Sequence, residues 1–153
     1  MKRLILLSLL ALFTASACKK DQKKEINKPV SEQLHGTWLT ISENSAYFDA
    51  SNNKVFEQNS TPGTKVIINE NINKFDNQDK AVFSSAYSVS NVNGKNYISF
   101  TQNGSTQTYE VVYVDTKMMT WKQEKTNQTY NDNGEKVASK QVTTINFHCP
   151  CRD

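Results

Sequence analysis

From residue 34 onward the chain alternates hydrophobic and polar residues, and a period of two is typical of β-strands. The strongest segments are rich in Val, Ile, Thr, Tyr and Phe, which favour strands. They span residues 37–41, 64–68, 83–89, 97–100, 109–114, 118–121 and 140–147. One short helical turn is expected near residues 31–35, and no longer stretch of the domain follows a helical period. The pattern predicts an all-β domain.

Three Asn-Gly pairs separate the later strands, at Asn93-Gly94, Asn103-Gly104 and Asn133-Gly134. Asn-Gly is the strongest short signal for a β-hairpin, because both residues tolerate the positive φ angles of a tight turn. Hairpins that follow one another predict an antiparallel up-and-down arrangement. Closing such a sheet into a barrel removes its exposed edges. We therefore expect an antiparallel up-and-down β-barrel of about eight strands, with a two-sheet sandwich as the alternative.

The first 18 residues have the pattern of an export signal. Lys2 and Arg3 give a basic start, and the apolar run Leu4–Ala17 follows it. A membrane-spanning helix needs about 20 apolar residues, so this run is too short to span a bilayer. We expect residues 1–17 to be a signal peptide.

The end of the leader, Ala15-Ser16-Ala17-Cys18, resembles the lipobox of bacterial lipoproteins. The resemblance implies that signal peptidase II cuts before Cys18, which then carries the lipid. The lipid bilayer would be a partner through this anchor, and the protein would lie in the bacterial cell envelope. It would face the periplasm or the outer surface of the outer membrane. The alternative is cleavage by signal peptidase I after Ala17, followed by simple secretion.

Charge divides the mature chain into a tether and a domain. Residues 18–33 are rich in lysine and poor in large apolar side chains, so they predict a flexible tether that cannot form its own core. Residues 34–153 form the predicted domain. Without the leader, 16 basic residues face 15 acidic ones, a balance without the basic footprint of a nucleic-acid-binding protein. We expect no nucleic-acid partner.

The first predicted strand contains Gly36-Thr37-Trp38, which resembles the G-x-W signature at the start of lipocalin-like domains. The resemblance covers about residues 34–148. It implies that Trp38 closes one end of the barrel and that Gly36 lets the entering chain approach closely. It also implies that the barrel interior is the ligand site.

Alternation along the strands then provides candidate residues for that site. Their side chains are aromatic or apolar: Phe83, Tyr87, Phe100, Tyr109, Tyr113, Met119 and Trp121. The alternative is that these side chains fill a solid core and leave no cavity. Both arrangements occur in small eight-stranded barrels.

Catalytic chemistry is not indicated by any motif. His35 and His148 lie near opposite ends of the domain, outside any hydrolase or metalloprotease signature. We expect no enzyme activity and no cofactor. His148, Cys149 and Cys151 are candidate soft ligands for copper or zinc, or a candidate redox site. The alternative for these three residues is a terminal tail that is oxidised or packed.

Together these features predict a membrane-anchored lipoprotein whose lipocalin-like barrel binds a small apolar ligand. The alternative is a non-enzymatic interaction module that docks a protein or a glycan through the barrel loops. A cavity lined by Tyr and Met side chains would favour the first function, and a solid core with an exposed aromatic patch would favour the second.

Overall fold

A computed structural model describes residues 28–150 of the chain. The predicted signal peptide, the predicted lipidation site Cys18 and most of the predicted tether lie outside the described residues, as does Cys151. Within residues 28–150 the structure consists of one short helix and nine strands.

The all-β prediction is confirmed. The helix α1 spans Val30–Gln33, and it begins before the predicted start of the domain. The strands are β1 Gly36–Phe48, β2 Lys54–Ser60, β3 Lys65–Ile68, β4 Asn71–Phe75, β5 Ala81–Val92, β6 Lys95–Gln102, β7 Ser105–Val114, β8 Met118–Asn131 and β9 Glu135–His148. Strands β2 and β4 were not among the predicted segments, because polar residues dominate both.

The predicted antiparallel barrel is also confirmed. Strands β3 to β9 pair in chain order, and β1 pairs with both β3 and β9, which closes a barrel of eight strands. Every pairing is antiparallel. Strand β2 is the ninth strand and pairs with the second half of β1, outside the closed ring. The sandwich alternative is therefore excluded.

The Asn-Gly pairs form the predicted hairpin turns. Asn93 and Gly94 have φ angles of 53° and 80°, and Asn103 and Gly104 have φ angles of 51° and 75°. Each of these two pairs is the whole connection between its strands, whereas Asn133-Gly134 is part of a longer connection, residues 132–134, between β8 and β9. Positive φ at both central residues is the geometry of a type I′ turn, which matches the twist of the flanking strands.

One end of the barrel, called the closed end here, is covered by α1 and the chain that follows it. Leu34 and Ile68 are fully buried there together with Trp38. The Trp38 Nε1 donates a hydrogen bond of 2.8 Å to the carbonyl oxygen of Leu34, which ties the helix to the first strand. The core residues all lie between Val30 and Cys149, so a chain that begins at residue 19 contains the complete core.

The opposite end of the barrel, called the mouth, is flanked by a sheet extension. Strands β8 and β9 have 14 residues each, whereas β6 has eight. The excess length of β8 and β9, with the second half of β1 and with β2, forms this extension. Its side chains make a separate aromatic cluster of Tyr47, Phe56 and Tyr130, with ring centroids 5.1 to 5.8 Å apart.

Candidate functional site

A small pocket opens at the mouth of the barrel. Aromatic and aliphatic side chains form its walls, and half-buried polar side chains form its rim. The rim contains Glu43 on β1, Lys74 on β4 and Gln102 at the end of β6. A concave apolar site with a few polar groups directed into it is the usual form of a ligand site.

The pocket wall is a continuous row of aromatic rings. Phe83 stacks on Phe100 with their ring centroids 5.5 Å apart, and Phe100 stacks on Tyr109 at 5.9 Å. Tyr109 lies 5.5 Å from Trp121, which contacts Phe147 edge-on at 4.8 Å. Because β5, β6, β7, β8 and β9 each contribute one ring, the row crosses five strands. Aromatic rings in these offset and edge-on arrangements stabilise one another.

A β-bulge in β1 places a carboxylate at the pocket. Thr40 is opposite Phe147 on β9, but the next paired residue is Ser42, so Ile41 is the extra residue of the bulge. A bulge shifts the alternation of the strand by one position. As a result Glu43 shares the inner face with Thr40, and both residues line the pocket.

Trp121 supplies a buried hydrogen-bond donor without a partner. Its side chain lines the pocket and is 2% exposed. Among residues 28–150 no acceptor lies within hydrogen-bond distance of its Nε1. An indole nitrogen can only donate, and a buried donor left unpaired costs about 1–3 kcal/mol.

Thr40 brings a second hydroxyl to the same pocket. It is 4% exposed and is the only buried polar residue of the core within residues 28–150. The Thr64 hydroxyl donates a 3.0 Å hydrogen bond to Thr40 Oγ1. Because the Thr40 oxygen is the acceptor in this bond, its own proton is available to a third group.

Burial and the negative charge of Glu43 at the rim both affect the pKa of Tyr109, the tyrosine of the pocket. The pKa of Tyr109 is raised, mainly because the phenol is buried and further because the Glu43 carboxylate lies nearby. Both causes disfavour a phenolate.

The polar side chains of the rim have no partners in the fold. Within the described part of the chain Glu43, Lys74 and Gln102 make no side-chain hydrogen bond or ion pair. Their polar groups are therefore available to a ligand at the rim.

The pocket is small. Its cavity volume is about 40 Å³, whereas pockets that enclose a drug-sized ligand measure roughly 300–1,000 Å³. A volume of about 10–15 Å³ on this scale holds one water molecule. The pocket therefore has room for only one end of a ligand.

Four of the seven predicted ligand-binding residues meet at this pocket, namely Phe83, Phe100, Tyr109 and Trp121. Met119 is fully buried in the core and is not part of the pocket wall. Tyr87 is half-buried, and its hydroxyl donates a 3.0 Å hydrogen bond to the carbonyl oxygen of Asn69. That hydroxyl is also 3.0 Å from the His35 Nε2, and these contacts place it at the closed end.

Tyr113 lies away from the pocket, although alternation predicted it as a candidate. Tyr109 and Val111 are on the inner face, and regular alternation would place Tyr113 there too. A bulge between Val111 and Tyr113 shifts the strand by one residue. Tyr113 is therefore 50% exposed, and its hydroxyl donates a hydrogen bond to the Asp115 carboxylate.

The G-x-W residues lie at the closed end. Trp38 is 2% exposed within the main core. Gly36 has a φ angle of +145°, a backbone conformation that residues with a Cβ atom rarely adopt. A Cβ atom at this position would lie 3.9 Å from Trp38 Nε1. This backbone conformation explains why glycine occupies position 36.

The C-terminal metal or redox prediction is only partly within the described residues. Cys149 is buried in the main core, and its backbone N–H donates a hydrogen bond of 2.8 Å to the carbonyl oxygen of Lys117. His148 ends β9 opposite Met118. No group of three or more His, Cys, Asp or Glu side chains within residues 28–150 is arranged to hold a metal ion.

The polar residues of the pocket were not predicted from the sequence. Thr40, Glu43, Lys74 and Gln102 were not candidates, because a polar residue on a strand is usually solvent-facing. For Glu43 the bulge at Ile41 has no signal in the sequence pattern. Lys74 lies on β4, and it was not a candidate because the pattern did not predict this strand.

The chain matches no protein-family model, no curated protein and no solved structure. No helical segment within residues 28–150 has the length and apolar content needed to cross a lipid bilayer. Function is therefore inferred from the chemistry of the mouth and from the leader.

Proposed function

We propose that this protein is a lipid-anchored protein of the bacterial cell envelope that binds a small molecule at the mouth of a lipocalin-like barrel. The leader and Cys18 support the location in the cell envelope, through their resemblance to a signal peptide with a lipobox. The observation that carries the binding function is the pocket itself. An aromatic wall meets three rim side chains that have no hydrogen-bond or ion-pair partner within residues 28–150, namely Glu43, Lys74 and Gln102, at one open end of the barrel, and the wall includes the unpaired indole N–H of Trp121.

The size of the pocket determines how a ligand binds. Since the cavity volume is about 40 Å³, the ligand inserts one small end among the aromatic rings. The rest of the molecule lies against the rim, where Glu43, Lys74 and Gln102 offer an acceptor, a cation and an amide. Apolar contact in the barrel supplies affinity, and the rim supplies orientation.

The alternative function is an interaction module that docks a protein or a glycan. One observation favours it: Val112 and Tyr113 are neighbours on β7, and they are 53% and 50% exposed. Exposed apolar patches mark interaction sites when they are large and continuous. Two neighbouring side chains are not a large continuous patch, so we favour ligand binding at the mouth over docking through the outer face.

One mass-spectrometric experiment tests both parts of this proposal. The full-length protein is expressed in a bacterial host, extracted from membranes in detergent and measured under native conditions. We expect a chain that begins at Cys18 and carries the added mass of acyl lipid. We also expect a noncovalent small-molecule adduct that is released on collisional activation. Cys18→Ser is the matched control, which loses the lipid mass but keeps the adduct, because the residues that line the pocket all lie between Thr40 and Phe147.

The two parts fail independently. A chain that begins at Cys18 without lipid, or that keeps its leader, would disprove the anchor. A lipidated chain that never carries a small-molecule adduct, in several hosts and detergents, would disprove the binding function and favour the interaction module.

A further inference from the structure

The two tryptophans of the chain differ in a way that bears on the ligand. Both side chains are 2% exposed. The Nε1 of Trp38 donates a hydrogen bond of 2.8 Å to the carbonyl oxygen of Leu34. The Nε1 of Trp121 has no acceptor among residues 28–150, and this tryptophan lines the mouth pocket. It is the single buried side-chain polar atom in the described residues without a partner.

A second donor faces the same small space. The Thr40 hydroxyl accepts from Thr64 at 3.0 Å and keeps its own proton to donate. Among the pocket residues whose side chains carry a polar atom, Thr40 and Trp121 are the most buried, whereas the rim residues are half-buried. The inner part of the pocket thus offers donors among aromatic rings.

We infer that the end of the ligand that enters the barrel carries a neutral hydrogen-bond acceptor of the carbonyl type, rather than a saturated hydrocarbon chain. This inference rests on the proposed function, because it concerns the same pocket. A carbonyl oxygen has two lone pairs and can accept from two donors. A saturated chain would leave the Trp121 donor buried without an acceptor.

The size and charge of the pocket support a small neutral group. A volume of about 40 Å³ suits a group of a few heavy atoms, such as an acetyl or acetamido end. The Glu43 carboxylate contributes negative potential at the pocket, since it raises the pKa of Tyr109 in addition to the effect of burial. Because the rim carries one carboxylate, Glu43, and one ammonium, Lys74, it has no net charge to offset the hydration that an anionic group would lose beside the buried rings.

Two probe compounds of nearly the same shape test this inference. Acetophenone presents a carbonyl oxygen, and α-methylstyrene replaces that oxygen with a methylene group. The soluble chain of residues 19–153, which contains the complete core, is labelled with nitrogen-15 and titrated with each compound. The chain has two tryptophans, so its spectrum contains two indole N–H signals, and Trp121→Phe identifies the one that belongs to Trp121.

We expect acetophenone to bind about 5- to 10-fold more tightly than α-methylstyrene, the ratio that one hydrogen bond provides. Acetophenone should move the Trp121 indole signal downfield and leave the Trp38 signal in place. In Trp121→Phe the affinity ratio should fall to within about twofold. Val92→Ala, at an exposed position in the turn region of the closed end, is the control that should keep the full ratio.

Equal binding of the two compounds, with an unmoved Trp121 indole signal, would overturn the inference and leave the proposed function intact. If neither compound binds up to its solubility limit, the inference is also wrong, and the mass spectrum alone decides the proposed function. If Trp121→Phe fails to fold, Thr40→Val replaces it. That variant keeps the shape of the side chain, removes the hydroxyl and should also reduce the ratio.

Discussion

At the scale of single residues, the surroundings of each buried indole separate a structural tryptophan from a candidate binding residue. Trp38 packs in the core and donates to Leu34, so its polar atom is used within the fold. Trp121 packs in the same core, but its Nε1 has no acceptor among residues 28–150. Sequence alone could indicate that both residues are buried on strands. It could not distinguish them, because the acceptor for Trp38 is a backbone oxygen.

Trp38 should be among the residues on which stability depends most. Trp38→Ala removes a fully buried ring and leaves a cavity at the closed end, so we expect a loss of about 3–5 kcal/mol in the free energy of unfolding. Urea denaturation of the soluble chain measures this loss. Val137→Ala, at a position that is 68% exposed, is the control and should change stability by less than about 0.5 kcal/mol. A loss below about 1 kcal/mol for Trp38→Ala would show that Trp38 does not support the core.

Four of the seven residues nominated by alternation line the pocket, and Tyr113 shows why alternation does not place every residue on the expected face. Alternation is reliable only while the strand remains regular. The extra residue at the β7 bulge turns Tyr113 to the outside, and the extra residue Ile41 turns Glu43 to the inside. Neither bulge has a distinctive sequence, because each depends on pairing with a neighbouring strand.

At the scale of elements, the hairpin connections are the part of the structure that local sequence determines best. Asn93-Gly94 and Asn103-Gly104 adopt the predicted turns, because the required φ angles suit these two residue types. The register of β1 is different. It depends on β2 and β3 and above all on β9, which lies far along the chain and opposes the bulge at Ile41, so no local pattern encodes it.

The turn between β7 and β8 should make stability depend on pH. The Asp115 carboxylate accepts hydrogen bonds of 2.7 Å from the backbone N–H groups of Lys117 and Met118. It also accepts one from the Tyr113 hydroxyl, and this bond is the largest cause of its lowered pKa. Because the folded pKa lies below the ordinary value of 3.8, the stabilisation is fully present above about pH 4 and is lost as the pH falls through the folded pKa.

Tyr113→Phe removes the hydroxyl and keeps the ring. We expect this variant to be less stable than the wild type at about pH 7, and the difference to shrink at about pH 2, where the carboxyl is protonated in both proteins. Urea denaturation at the two pH values measures the difference. Tyr97→Phe is the control, since no side-chain hydrogen bond of Tyr97 occurs within residues 28–150. A Tyr113→Phe effect that is equal at both pH values would contradict this account of the turn.

At the scale of the whole molecule, sequence predicted the barrel but not its asymmetry. Consecutive hairpins and alternation suffice to predict an antiparallel barrel, because closure is the simplest way to remove exposed edges. The long extension of β8 and β9 beside the mouth could not be predicted, since polar residues dominate its sequence. The size of the cavity also could not be predicted, because it depends on how the aromatic side chains pack.

The central claim is that small molecules bind at the mouth of the barrel and not on its outer face. The most direct measurement is a map of backbone amide chemical shifts in the soluble chain as acetophenone is added. We expect shifts at Thr40, Gln102 and Trp121, and unchanged signals at the closed end around Leu34 and Gly36. Shifts confined to the exposed surface around Val112 and Tyr113 would contradict it and would favour docking through the outer face.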